Sequence, residues 1–173
     1  MNVLSSFKQV DTFVFDVDGV LTDGSVLVLE NGEMARRMNI KDGYALQLAI
    51  KKGYRIFIVS GSSPSAVEQR LNYLGISEIY FRIKDKKEFV QNLAEQHAFD
   101  MSRVLFMGDD MPDLPVFDIV GLSCCPADAV SDLKSAAKYI SIKNGGEGCV
   151  RDVIEKVLKV KGDWKDTASV ASK

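Results

Sequence analysis

Short apolar runs alternate with amphipathic stretches along this 173-residue chain. The runs at 12–17, 54–60, 79–81, 104–107, 120–123 and 139–141 are short and almost continuously apolar, and they read as buried strands. The stretches between them, 43–51, 63–74, 86–97, 113–117, 129–136 and 147–160, read as helices. This alternation predicts an α/β fold in three layers, a doubly wound parallel sheet covered by helices on both faces. Gly53, Gly75 and Gly121 fall where helix C-caps are expected, and Pro64 falls where a first helical turn is expected.

One segment breaks the alternation. Residues 25–29 and 33–38 flank Asn31-Gly32, a pair that suits a tight hairpin because both positions tolerate positive φ. A β-hairpin inserted at 24–39 is therefore expected within a single domain spanning 1–162. Val26, Leu27, Val28 and Leu29 would be exposed on it. A lone two-stranded ribbon is marginal in water, so burial against other subunits is the expected remedy. Residues 163–173 are polar and aperiodic and are expected to form a mobile tail.

The net charge of −2 gives no basic patch that would draw the chain to nucleic acid or to a membrane surface. No run is long enough to span a bilayer, and the first residues lack an apolar signal region. Cys124, Cys125 and Cys149 are odd in number and have no zinc-ligand spacing. Reduced core thiols and a cytoplasmic location are the expectation.

The candidate chemistry sits at the C-terminal ends of the predicted strands, where open parallel sheets form their ligand crevice. Asp16 and Asp18 end the first, with Gly19 letting the chain turn away. Ser60-Gly61-Ser62-Ser63 follows the second and leads into a helix, an arrangement that suits an anion. Lys84-Asp85-Lys86-Lys87 follows the third, and Gly108-Asp109-Asp110-Met111-Pro112-Asp113 the fourth. Acids for a hard cation, hydroxyls for a phosphate and an ammonium to offset charge together suit metal-assisted phosphoryl transfer. Each piece also has a plainer reading. Ser60-Gly61 suits a helix N-cap, Lys84–Lys87 a solvated charge run, and Asp110 and Asp113 the capping of a short helix begun by Pro112.

In order along the chain, Asp16-Val17-Asp18-Gly19, Ser60, Lys86 and Gly108-Asp109-Asp110…Asp113 resemble the four motifs of the haloacid dehalogenase superfamily. Asp18–Gly24, Asn31-Gly32-Glu33, Asn39–Tyr44 and Gly145–Arg151 further resemble its small capless branch. That branch hydrolyses 3-deoxy-D-manno-octulosonate 8-phosphate in lipopolysaccharide precursor synthesis, or nonulosonate 9-phosphates. The resemblance implies a Rossmann-like domain without a cap, and a Mg²⁺-dependent phosphatase acting on a sugar-acid phosphate. It also implies a homotetramer with active sites at subunit interfaces. Asp16 would be the nucleophile that becomes an aspartyl phosphate, and Asp18 the general acid and base. Mg²⁺ would be held by Asp16, the Asp18 carbonyl oxygen and Asp109, with Asp110 and Asp113 orienting that shell or Lys86. Ser60 and Gly61 would hold phosphate oxygens and Lys86 would neutralise charge. Ser62, Arg70 and Asp42 would contact the substrate, Arg70 across a subunit interface.

Ser62 and Tyr73 stand where nine-carbon enzymes tend to carry glutamate and lysine, which favours the eight-carbon substrate. Two rivals stand outside this chemistry: a receiver-like signalling domain, which would need its acceptor aspartate after the third strand, and an inactive oligomerisation module.

Overall fold

The computed structural model describes residues 3–165. A six-stranded, wholly parallel sheet forms its centre. Its strands are β1 (Thr12–Phe15), β4 (Arg55–Val59), β5 (Glu78–Tyr80), β6 (Val104–Met107), β7 (Leu122–Cys125) and β8 (Tyr139–Ile140), in the spatial order β5-β4-β1-β6-β7-β8. The order reverses at β1, which pairs with β4 on one side and β6 on the other. The crevice of such a sheet opens at that reversal, so the chain leaving Phe15 enters it.

Side chains alternate across the sheet because the strand period is two. Phe13, Phe15, Ile56, Ile58, Leu105 and Met107 face one layer; Val14, Phe57, Val59, Val104 and Phe106 face the other. The first layer holds α1 (Val3–Gln9), α2 (Ile40–Lys51), α3 (Ala66–Tyr73) and α7 (Cys149–Lys161). The second holds α4 (Lys86–His97), α5 (Leu114–Phe117) and α6 (Ser131–Ala136). β1, β6 and β7, and β4 after Arg55, are buried from both sides, which is why they read as continuous apolar runs, whereas β5 and β8 at the sheet edges are only partly covered.

The antiparallel hairpin is present as β2 (Leu27–Val28) and β3 (Met34–Ala35), turned at Gly32 with φ +83°. Leu27 and Val28 are 64% and 66% exposed. No second domain covers the crevice among the described residues.

One element was not expected, and three expectations need correction. Residues 3–9 form α1, whose one buried side chain, Phe7, gives no periodic stripe to read. Pro64 precedes the N-cap Ser65 of α3 and is not in its first turn. Gly121 is not a helix cap: its amide bonds the Met101 carbonyl, and a Cβ there would lie 1.8 Å from the Ser102 carbonyl oxygen. That close docking starts β7 two residues later than the apolar run suggests. The expected tail begins too early, since Asp163–Lys165 form a further turn and Trp164 lies against Tyr44 and Arg151. The rest of the tail, 166–173, lies outside the described residues.

Candidate active site

At the end of β1 the chain makes a five-residue turn, Val17–Leu21, that is not regular helix. Asp18 is extended (φ −73°, ψ 122°) and Gly19 has φ +83°. A side chain at 19 would be strained, and its Cβ would lie 2.0 Å from Asp109 Oδ2. This glycine lets Asp109, from the end of β6, close over the turn beside Asp16.

The four predicted strand ends meet around one cavity of about 560 Å³, whose lining includes Asp16, Asp18, Ser60, Gly61, Lys86 and Asp109. Lys86 opens α4 and is almost fully buried. Its ammonium lies 2.9 Å from Asp16 Oδ1 and 2.6 Å from Asp113 Oδ1. Asp113 also accepts from the Asp109 amide through Oδ2 at 3.0 Å. It thus both seats Lys86 and shapes the loop that presents Asp109. Asp110 caps Met111 and forms a reciprocal capping pair with Asp113, so the plainer reading of these two acids and the functional one hold together. The lysine at 86 is the one aimed at Asp16; Lys84 lines the same cavity.

Electrostatics follow from this crowding. Burial, then the charge of Asp113, pushes the Asp16 carboxyl well above the usual carboxylate range, with Lys86 opposing. Burial, then the charges of Asp16 and Asp113, pushes Asp109 up to about 7. Burial alone would depress Lys86, but its two acidic partners outweigh it and hold the ammonium above the usual lysine range. Carboxylate oxygens of Asp16, Asp109 and Asp113 lie within 4.8 Å of one another. Three acids face one buried ammonium. A hard divalent cation relieves that excess negative charge, and the donor set fits one.

Ser60 is buried at the end of β4. Its hydroxyl lies 2.8 Å from that of Ser62, and its oxygen accepts from the Ser62 amide. Ser60, Gly61 and Ser62 all line the cavity. Asp18 is not among the clustered carboxylates. Its side chain turns outward to Arg36, beyond the hairpin strand β3, with Nε to Oδ1 at 2.6 Å and Nη2 to Oδ2 at 3.4 Å. Arg36 carried no signal in the sequence, where it is one of two adjacent arginines in the segment expected to form the second hairpin strand. Arg70 does not line the Asp16 cavity; it lies on α3 facing the base of the hairpin.

Asp42 is a correction. It lines no part of the cavity; its carboxylate is buried under the first turn of α7, where Oδ1 accepts from the Arg151 amide at 2.7 Å. Oδ2 has no hydrogen-bond partner. Burial raises the carboxyl from 3.8 to about 6, with the α7 amides opposing. Ionising it therefore costs the folded state more than the unfolded one, and stability falls as pH rises through roughly 4 to 6. The loss is on the order of 3 kcal/mol. Asp42→Asn is expected to remove that decline, measured as urea unfolding at pH 4.5 and pH 8. An unchanged pH dependence would place the carboxyl's titration elsewhere.

The receiver reading does not survive the geometry. The chain after the third sheet strand in sequence, β5, offers Lys86 to the site, and Asp85 there caps α4 through the Glu88 amide.

Comparison with known proteins agrees with this arrangement. Residues 73–154 match the haloacid dehalogenase-like hydrolase family. The 3-deoxy-D-manno-octulosonate 8-phosphate phosphatase of Escherichia coli K12 is 34% identical over 161 residues, covering 93% of this chain and 86% of that protein. A crystal structure of the Yersinia pestis phosphatase of the same name superposes with a TM-score of 0.92 at 30% identity, over 99% of this chain and 91% of that one. The Moraxella catarrhalis phosphatase, solved with magnesium, phosphate and the sugar acid, superposes with a TM-score of 0.90 at 30% identity, over 94% and 93%. With its capless sheet, its hairpin and its four strand-end motifs, the chain belongs to the haloacid dehalogenase-like hydrolases, in the branch of the 3-deoxy-D-manno-octulosonate 8-phosphate phosphatases.

Proposed function

We propose that this protein is a Mg²⁺-dependent phosphatase that releases phosphate from 3-deoxy-D-manno-octulosonate 8-phosphate. The observation that carries the chemistry is the buried Asp16, bridged through Lys86 to Asp113 and faced by Asp109 and Ser60 in one cavity. The substrate follows from the relatives, which carry that activity in their names over nearly the whole chain.

In the first step an Asp16 oxygen bonds to phosphorus and the bond from phosphorus to the sugar oxygen breaks. Asp18 gives its proton to the departing oxygen, so the sugar leaves neutral at that atom. In the second step a water attacks the aspartyl phosphate and passes a proton to Asp18. The bond between Asp16 and phosphorus then breaks, and inorganic phosphate departs. Ser60 and the Gly61 amide hold phosphate oxygens in line, and Lys86 offsets charge on the phosphoryl group. Mg²⁺, held by Asp16, Asp109 and the Asp18 carbonyl oxygen, would supply Lewis-acid stabilisation of the phosphoryl charge. Asp113 acts through Lys86 and the loop of Asp109.

The test is phosphate release with Mg²⁺ across a panel of sugar phosphates that includes the eight-carbon and nine-carbon sugar acids. The eight-carbon compound is expected to lead kcat/KM by at least about tenfold, on the order of 1.4 kcal/mol of discrimination. A nine-carbon leader would replace the substrate and leave the chemistry standing.

The assembly we infer is a homotetramer in which hairpins cover one another and Arg70 serves a neighbouring site. Its support is the exposed Val26, Leu27, Val28 and Met34 on a ribbon too small to be stable alone. Lysine at both Val26 and Val28 is expected to reduce the mass in solution to that of the monomer by light scattering. An unchanged mass would move the interface elsewhere. The three cysteines are free and buried, which suits a reducing cytoplasm. No helix among the described residues is long and apolar enough to cross a membrane.

A further inference from the structure

The contact between Arg36 and Asp18 has no part in the scheme above, and it joins the hairpin directly to the acid–base residue. Its geometry is that of a fork on a carboxylate, one nitrogen to each oxygen. The Arg36 side chain is only 12% exposed, whereas Asp18 is 35% exposed and lines the catalytic cavity. On its other side Arg36 lines a second depression, about 280 Å³, between the hairpin base and α3. Ser65 and Arg70 line it too, beside Met38 and Val67. Arg36 therefore stands between the reacting carboxylate and a separate space with its own cationic wall.

We propose that Arg36 is a specificity-determining residue that exchanges the Asp18 carboxylate for the carboxylate of the substrate, an inference that rests on the sugar-acid reading above. With both Asp18 oxygens engaged by Arg36, the side chain is held toward the hairpin and away from a leaving group. A sugar acid carries one anion on its phosphate and another on its carboxylate. Once the phosphate is seated on Asp16, the carboxylate reaches Arg36 and takes over the fork. One charge-assisted pair replaces another, so releasing Asp18 costs little. A neutral sugar offers only hydroxyls, which cannot replace a charged partner on equal terms, and Asp18 stays held. Selectivity thus comes from freeing the acid–base group as well as from binding.

The experiment compares kcat/KM for 3-deoxy-D-manno-octulosonate 8-phosphate with that for a pentose 5-phosphate, which has no carboxylate. It uses wild type, Arg36→Gln and Arg36→Lys, each checked for oligomeric mass and melting. The glutamine variant is expected to lower the ratio of the two values at least tenfold, chiefly through KM for the sugar acid. Lysine, which keeps the charge without the fork, is expected to recover part of it. Equal losses on both substrates, or no loss on either, would overturn the assignment and reduce the contact to a hairpin anchor. If the glutamine variant does not fold, the lysine variant decides: a ratio lowered threefold or more supports the exchange, and a wild-type ratio overturns it. A wild type that prefers the pentose phosphate would instead overturn the sugar-acid reading itself.

Discussion

Asp16→Asn is expected to lower phosphate release by at least about four orders of magnitude with the fold intact. An amide oxygen does not attack phosphorus usefully, and no other carboxylate takes the same place at the end of β1. Asp113 is tied to Lys86 and to the Asp109 amide, and Asp18 is turned toward Arg36. The structural cost is small because an asparagine oxygen still accepts from Lys86. Burial raises the carboxyl of Asp16 above its ordinary range. Without metal its ionised form therefore costs stability once pH has risen past the ordinary aspartate value. The neutral amide removes that cost, so the metal-free variant should melt at or above wild type at pH 8. Turnover within tenfold of wild type, with melting unchanged, would remove Asp16 as the nucleophile.

Lys86→Met should strongly destabilise the fold. It leaves the buried Asp16 and Asp113 beside the half-buried Asp109 with no cation among them. Removing one partner of a buried pair costs about 3–5 kcal/mol. Loss of the phosphoryl-facing ammonium should lower turnover by about two to three orders of magnitude. The stability loss has a direction in pH. Asp16 and Asp109 already hold protons more tightly than free aspartate, and without Lys86 they would hold them more tightly still. The deficit should be full at pH 8 and should shrink toward pH 5 as they become neutral. Urea unfolding at both values tests this, and an equal deficit at both would mean that methionine packs badly rather than that charge is uncompensated.

What the sequence made legible has a physical pattern. β1, β4 and β6 are covered on both faces, so after Thr12 and Arg55 every residue is apolar and the runs stand out. α4 was legible to the residue from its amphipathic pattern, and the structure closes it at the same bounds with the Asp85 cap and a left-handed Ala98. The hairpin was legible from Asn31-Gly32, where two residues decide the turn. That Asp16, Asp18, Ser60, Lys86 and Asp109 would share one cavity was legible because each lies at or just beyond a strand end, and a parallel sheet brings those ends to one edge. What stayed hidden depended on distant packing. The true start of β7 is set by the backbone of Gly121 meeting Ser102, and nothing near Gly121 announces it. Asp42 sits in a motif shared with the family, yet its carboxylate supports α7 from beneath. Arg36 gave no local sign, since its partner lies 18 residues earlier.

The loop at 144–148 carries a consequence for how the chain is made. Gly145 lies so close over the catalytic turn that a Cβ there would sit 1.9 Å from the Gly19 carbonyl oxygen. The Gly146 amide and the Cys149 thiol both bond the Val20 carbonyl. Asp16 thus leaves the ribosome well before the backbone that braces its turn. β1 must also wait for β4 and β6 on its two sides. Such long sequence separations slow folding and defer the native contacts. A nascent chain is therefore expected to stay catalytically silent until α7 emerges, and chains stalled short of residue 149 should release no phosphate, however much of the sheet they have formed.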